Sequence, residues 1–294
     1  MRIVVTGGAG FIGGKLVNRL ASAGAGEVLV LDNLHRGFSR DSLPGEAEFR
    51  RVDIRDPDAL AGALKGCEIV FHLAAQSNVR GAVADAGYSF STNVVGTYNV
   101  LQAAIAARVK RVVFPSSREV YGDPCDIPVP EKAPLRAKNA YGASKIAGEV
   151  YCRLAVQQGL ETVVLRLANV YGPGDRDRVI PLFAAAANAG LPITVFGRQK
   201  ILDFVWIDVV VDALIKTAFG SYIRGPVNIG SGKGTTILDL ARRMVDLSRS
   251  VSKIEVVEER EQEVGRFVAD ISRAKRLLKI PEPDDPLWAL SRSI

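Results

Sequence analysis

Apolar residues along this chain fall into two kinds of pattern. Short, almost continuous runs rich in Val, Ile, Leu and Phe occupy positions 2–6, 27–32, 47–53, 68–73, 111–116 and 162–166. Runs of that length without polar alternation mark strands buried on both faces. Between them, over 13–23, 57–65, 88–107 and 141–158, apolar residues return at helical spacing, with Val94, Tyr98, Leu101, Ile105 and Val109 as the clearest set. Alternating strands and helices predict a parallel sheet covered by helices on both sides, a doubly wound α/β domain over residues 1–167.

After Leu167 the rhythm changes. A turn-rich loop over 169–178 leads into helical segments at 180–189, 209–219, 237–247 and 272–278, which alternate with short strands at 193–196, 204–206, 227–229 and 253–257. This predicts a smaller C-terminal α/β domain, residues 168–294, that packs on the carboxyl edge of the sheet and binds substrate. Residues 204–214 are expected to return to the first domain.

Composition narrows the possibilities. With 294 residues, 48% hydrophobic and 24% charged, the chain has the balance of a soluble globular protein. No apolar run approaches the ~18–20 residues of a membrane span, and Met1-Arg2 leads into Ile3 without the layout of a signal peptide. Cys67, Cys125 and Cys152 are odd in number and form no C-x-x-C pair, so neither a disulfide framework nor a metal site is expected, and a cytoplasmic location fits. The net charge of +6 is dispersed among acids, which suits an anionic small molecule rather than nucleic acid.

Candidate chemistry begins where the first strand ends, in Thr6-Gly7-Gly8-Ala9-Gly10-Phe11-Ile12-Gly13. Glycines at 7, 10 and 13 permit a tight turn, approach of backbone amides to a pyrophosphate, and close contact of helix with strand. The second strand ends in Asp32-Asn33. The Asp32 carboxylate suits both ribose hydroxyls of an adenosine and repels a 2′-phosphate, so NAD rather than NADP is the expected cofactor. Asp53 and Ile54, ending the third strand, are placed to bracket the adenine. Tyr141 and Lys145 are four apart on a predicted helix and share a face. A free tyrosine ionises near pH ~10, and an adjacent ammonium favours the tyrosinate needed for a base. Ser117 ends the fifth strand, where it can hydrogen-bond the same substrate hydroxyl. His35 and His72 are the two histidines, and they support no hydrolytic triad.

These motifs join His72-Leu73-Ala74-Ala75, Asn93-Val94-Val95-Gly96-Thr97, Ser116-Ser117 before Val120-Tyr121-Gly122, and Arg166-x-x-Asn169-Val170-Tyr171-Gly172-Pro173. In order and spacing the chain resembles the extended short-chain dehydrogenase/reductase family from residue 1 to about 279. Within that family it looks most like the NAD-dependent nucleotide-sugar epimerases of the UDP-glucose 4-epimerase type. The resemblance implies a Rossmann-type fold and a Ser117, Tyr141, Lys145 triad. It implies a cofactor site of Gly7, Gly10, Phe11, Ile12, Gly13, Asp32, Asn33, Asp53, Ile54, Leu73, Ala74, Ala75 and Ser116, with Asn93 bracing the active-site helix. A homodimer formed through the helices at 88–107 and 141–158 follows from it too.

The same resemblance implies a nucleotide-diphosphate sugar substrate, a UDP-sugar above others. Asn169 would hold the pyrophosphate, Val179 and Phe196 would border the base, Arg260 and Glu263 would bind phosphate and ribose, and Phe267 would lie beside the sugar. Two departures stand out. Leu202 occupies the place of a phosphate-binding arginine, which leaves Arg178, Arg198 or Lys200 to supply the charge, and the tail after 280 reads as an abbreviated cover. Three functions remain open: C4 epimerisation through a transient 4-keto sugar, 4,6-dehydration or glucuronate decarboxylation using Glu119, and non-catalytic dinucleotide sensing. Arg118, in the slot where lyases of this kind carry an acid or a serine, favours the first.

Overall fold

The structure is a computed structural model that describes residues 1–36, 39–77 and 79–293. Strands β1 (Arg2–Thr6), β2 (Glu27–Asp32), β3 (Glu48–Arg51), β4 (Ile69–His72), β5 (Arg111–Ser117) and β6 (Glu161–Leu167) form where the apolar runs predict them. They are followed by β7 (Asn169–Tyr171), β8 (Ile193–Phe196), β9 (Ile201–Trp206), β10 (Val227–Ile229), β11 (Gly234–Thr236) and β12 (Ile254–Val257). The main sheet runs β10-β6-β5-β4-β1-β2-β3 with parallel pairing throughout. Every residue of β5 is buried, as a parallel strand covered on both faces requires.

The sequence assigns 227–229 to the smaller region. Instead β10 pairs with β6, Val227 opposite Leu165 and Ile229 opposite Leu167, and closes one edge of the main sheet. Its three residues are fully buried, which the short apolar run reflects without revealing the partner.

Helices α1 (Phe11–Ser22) and α2 (Pro57–Ala63) follow the pattern, α2 opening on an Asp56 cap that accepts from Asp58 N and Ala59 N. The helix expected over 88–107 is interrupted. After α3 (Val79–Ala84) come α4 (Ala86–Phe90), a π-helical turn at Ser91–Gly96, and α5 (Thr97–Ala106). An extra residue per turn leaves the apolar spacing almost unchanged, so periodicity does not register it, and such turns gather at functional sites. Here it carries Asn93, whose Oδ1 accepts Gln76 N at 2.7 Å and whose Nδ2 donates to Ser144 Oγ at 3.0 Å. Ser144 lies on α6 (Ala140–Val156), so this turn braces the longest helix.

The C-terminal part adds α7 (Val179–Asn188), α8 (Ile207–Phe219), α9 (Ile237–Leu247) and α10 (Ser272–Leu278). In it β9 joins β7 in parallel and β11 in antiparallel fashion, and β8 pairs with β12. Helix α8 returns to the main sheet, packing on α1, β5 and β6. Arg19 binds Asp212 at 2.9 Å and Asp208 at 3.0 Å across that contact. Arg111 donates to the Thr217, Ala218 and Gly220 carbonyls, satisfying the C-terminal end of α8. Asp203 ties the halves of the C-terminal part together: fully buried, it accepts from Ser231 N, Ser231 Oγ, Gly232 N and Ala269 N.

At the turn after β1, Gly7 has φ +71°, and a Cβ there would stand 2.5 Å from Ala74 N. A Cβ on Gly13 would stand 2.1 Å from the Gly7 carbonyl oxygen. Gly7→Ala is expected to destabilise the fold by about 1–3 kcal/mol through strain and the collision. Thermal denaturation of the variant beside the wild type measures it; an unchanged midpoint would contradict the close approach.

Candidate active site

A cavity of about 1000 Å³ runs along the carboxyl ends of the strands, where the chain order of the sheet reverses at β1 and β4. One half begins at α1. Gly10 caps this helix without any side-chain bond, so its first amides are free to meet an anion. Gly7, Gly10, Phe11, Ile12 and Gly13 line the cavity there, with Asp32, Asn33, Ile54, Leu73, Ala74 and Ala75 beyond them. Asp32 accepts Ala9 N at 3.1 Å and Leu34 N at 2.8 Å. Burial pushes its carboxyl above the usual range against those two bonds. A backbone cradle that excludes any Cβ, an uncapped helix start and a buried carboxylate one strand away fit a dinucleotide.

Asp53 does not join this wall. Its carboxylate is held by Arg55 (2.7 and 2.9 Å) and by Asn33 Nδ2 (3.0 Å). The Arg55 pairing, more than any other influence, keeps it well below the ordinary carboxylate range. An arginine two residues on thus withdraws the carboxylate that sequence reasoning assigned to the adenine, while Val52 and Ile54 line the cavity. The reasoning also missed Arg36, which donates to Ser77 Oγ at 2.5 Å and pairs with Asp177, joining the loop after β2 to the loop after β7. Only the run of charges at 175–178 hinted at such a contact.

The catalytic candidates meet in the middle of the cavity. Ser117 and Tyr141 are hydrogen-bonded. Burial raises the Tyr141 pKa; Arg178 opposes most, followed by the Ser117 bond. Lys145 donates to the Pro115 carbonyl at 2.9 Å and lies over the rings of Phe114 (4.7 Å) and Tyr141 (5.9 Å). Burial lowers its pKa to about 8. Ser116 lines the cavity but gives its hydroxyl to Glu149 at 2.5 Å. His72 sits behind, bound to Thr6 Oγ1 (2.8 Å) and Thr97 Oγ1 (3.0 Å), with burial pulling its pKa down to about 3. It is a neutral structural residue.

Glu119 lines the wall beside Ser117, and both its oxygens are engaged. Arg118 Nη2 lies 2.8 Å from Oε1, and Asn139 Nδ2 donates to Oε2 at 2.8 Å. Arg118 Nε also donates to Asn169 Oδ1 at 3.2 Å.

The far half holds Asn169, Arg178, Val179, Phe196, Lys200, Leu202, Arg260 and Glu263. Arg178 pairs with Asp175 at 3.0 Å and lies over the Phe11 ring. The Arg260 guanidinium stacks 3.6 Å over Phe196 and reaches Glu263 at 3.0 Å. Lys200, buried, bonds the other Glu263 oxygen at 2.5 Å. Burial works to raise the Glu263 carboxyl, but Lys200 and Arg260 together hold it below its usual range. Two predicted residues are elsewhere. Arg198 is exposed on the turn before β9 and does not line the cavity. Phe267 is 1% exposed and stacks on Tyr121 at 5.7 Å, so its bulk belongs to the core. Among the described residues the cavity wall carries eight Lys and Arg against five Asp and Glu.

A sequence model of the NAD dependent epimerase/dehydratase family matches residues 3–230. The chain belongs to that family. The Putative UDP-glucose 4-epimerase of Methanocaldococcus jannaschii is 36% identical over 290 residues, covering 96% of this chain and 94% of that protein. UDP-glucuronic acid decarboxylase 3 of Arabidopsis thaliana is 33% identical over 293 residues, covering 95% and 83%. Among solved structures, the Thermus thermophilus UDP-glucose 4-epimerase complex with NAD superposes with a TM-score of 0.92 at 31% identity, covering 100% of this chain and 97% of that one. The dTDP-glucose 4,6-dehydratase DesIV from Streptomyces venezuelae, with NAD and TYD bound, gives 0.93 at 31% identity, covering 100% and 95%.

Family members thus include epimerases, dehydratases and decarboxylases on one NAD-dependent scaffold. That coverage also corrects the expectation of an abbreviated tail. Leu287, Ala289 and Leu290 are buried, and Tyr171 donates from its hydroxyl to the Pro286 carbonyl at 2.9 Å. The segment after 280 therefore covers the core with a different sequence. Among the described residues no helix is long and apolar enough to cross a membrane, and no group of three or more His, Cys, Asp or Glu is placed to hold a metal ion.

Proposed function

We propose that the protein interconverts C4 epimers of a nucleotide-diphosphate sugar, a UDP-hexose in the first instance. Gly7, Gly10, Gly13 and the start of α1 would hold the pyrophosphate of NAD, Asp32 its adenosine ribose, and Lys145 its nicotinamide ribose. Bound there, NAD supplies a reversible acceptor for the hydride of the sugar carbon. Tyr141, as tyrosinate, takes the proton of the 4-hydroxyl while Ser117 holds the same oxygen. Lys145 and Arg178 supply the positive charge that favours the tyrosinate. Return of hydride and proton to the opposite face of the 4-keto sugar inverts C4, with no net oxidation and no second substrate.

The observation that carries epimerisation over elimination or decarboxylation is the state of Glu119. A carboxylate that shuttles a proton at C5 needs a free oxygen facing the sugar. Here one oxygen is paired with a buried guanidinium and the other with an amide, and a buried pair of this kind is costly to open. The intact Ser117, Tyr141 and Lys145 set likewise speaks against a purely sensing role.

Lys200 is the proposed substitute for the arginine missing at Leu202. It precedes that residue by two, and side chains two apart along an extended strand share a face. Its ammonium is buried at the cavity wall, whereas Arg198 points to solvent. A second copy of this chain is the proposed partner. Exposed Phe90, Val95 and Tyr98, from α4 through α5, stand beside exposed Val150 and Leu154 of α6.

Incubation with UDP-glucose and no added NAD should give a product of unchanged mass, with inverted C4 by NMR; loss of water or carbon dioxide would refute epimerisation. Tyr141→Phe should lower kcat by about 10²–10⁴-fold. Lys200→Met should raise the substrate KM about 10- to 100-fold through one lost charge-assisted bond, with Arg198→Ala near wild type; the reverse ranking would reassign the phosphate contact. Phe90→Asp should yield a monomer by sedimentation, and a wild type that is itself monomeric would remove the dimer.

A further inference from the structure

Three residues of α6, spaced four apart, each hold one of the last three residues of β5. Tyr141 is hydrogen-bonded to Ser117, Lys145 donates to the Pro115 carbonyl at 2.9 Å, and Glu149 accepts the Ser116 hydroxyl at 2.5 Å. This spacing keeps all three near the helix face that packs on the strand. The first two act in the proposed reaction, and the third has no part in it so far. Glu149 is buried and doubly bound by Arg166, Nε to Oε1 at 2.9 Å and Nη2 to Oε2 at 2.7 Å. Arg166 is fixed in turn by the Tyr121 hydroxyl at 2.9 Å and the Glu131 carbonyl at 2.8 Å. A buried ion pair is weak as a stabiliser, since apolar residues of equal volume serve as well. What it provides is a fixed orientation and a fixed charge.

We infer that Glu149, clamped by Arg166, is a positioning residue for the reaction. It sets the rotation of α6 on β5 that brings Tyr141 to Ser117, and its carboxylate favours the ammonium form of Lys145 one turn away. The inference rests on the Tyr141 and Lys145 roles proposed above, which the epimerase, dehydratase and decarboxylase readings share in their oxidation step.

The surroundings of Lys145 show why a distant carboxylate matters. Its one hydrogen-bond acceptor is a neutral carbonyl, and aromatic rings flank it. Burial draws its pKa to about 8, opposed by Cys152 and Glu149 on its own helix. From β4, His72 faces it in neutral form. Burial drives the Cys152 thiol far above neutral pH, which leaves Glu149 as the anion of this set. Facing Glu149 are Arg166 from β6, Ser116 from β5, Tyr121 beyond β5, and Lys145 and Cys152 along α6. Glu149 lies about 12 Å along the helix from Tyr141, so its effect on the phenol passes chiefly through Lys145.

The test uses the full chain loaded with NAD and the variants Glu149→Gln, Glu149→Asp and Ser116→Ala. Turnover, thermal midpoint and the pH at which Tyr141 ionises are measured, the last by tyrosinate absorbance against a Tyr141→Phe blank. Glu149→Gln should lower kcat about 10- to 100-fold with KM within about two-fold, and move the Tyr141 ionisation up by about one pH unit. Glu149→Asp keeps the charge and loses the reach, so kcat should fall while the ionisation stays in place. Ser116→Ala should lower kcat about 3- to 10-fold without moving it. A Glu149→Gln variant that loses only thermal stability, with kcat and ionisation unchanged, would overturn the inference. If that variant fails to fold, an unchanged kcat in Ser116→Ala overturns it instead. A wild type without turnover on any nucleotide sugar counts against the proposed function, and the titration still decides the role of Glu149.

Discussion

Because β5 is buried from Arg111 to Ser117, its side chains can meet a ligand only where the strand stops. The same holds for β1, buried from Ile3 to Thr6, and for β4. Covering both faces of a parallel sheet forces a helix after nearly every strand, and every such helix starts at the same edge. The glycine turn after β1, Asp32 after β2, Leu73 to Ala75 after β4 and Ser117 at the end of β5 are gathered there by that single requirement. The cavity is thus a by-product of burial, and the chemistry is written into the loops that burial leaves free.

The parts legible in the sequence were those with a local signature. Buried strands showed as unbroken apolar runs, α1 as a helix behind three glycines, and Tyr141 with Lys145 as a pair on one helix face. The illegible parts depend on partners far away in the chain. Arg111 reads as the first residue of a strand, yet its guanidinium closes the end of a helix more than a hundred residues later. Val227 to Ile229 is a convincing strand from composition alone, but nothing local names β6 as its neighbour. Asp53 and Phe267 were misjudged for the same reason: what withdraws the first is Arg55, and what claims the second is a ring on another segment. The interrupted helix is a subtler case, since its extra residue shifts Asn93 without disturbing the apolar stripe.

Charge in the cavity follows a consistent arrangement. Arg118 is bound to Glu119, Arg178 to Asp175, Arg36 to Asp177, and both Lys200 and Arg260 to Glu263. Each pair joins two segments of the wall, so the ions that would meet a ligand also hold the wall together. Lys145 is the exception: no carboxylate lies within ion-pair distance of it, and it faces the one tyrosine whose proton must move.

The sharing of Glu263 between two cations, with Arg260 laid flat on Phe196, has a consequence for selectivity. The far half of the cavity is not an open positive hole waiting for any phosphate. A ligand there must first break bonds already made and lift a guanidinium from an aromatic face. Inorganic phosphate offers charge but no base to replace that stack, and a free nucleobase offers a ring but no charge to release Lys200. Only a molecule carrying both at the right separation repays both losses at once, so the site screens for a whole nucleotide by being satisfied without one.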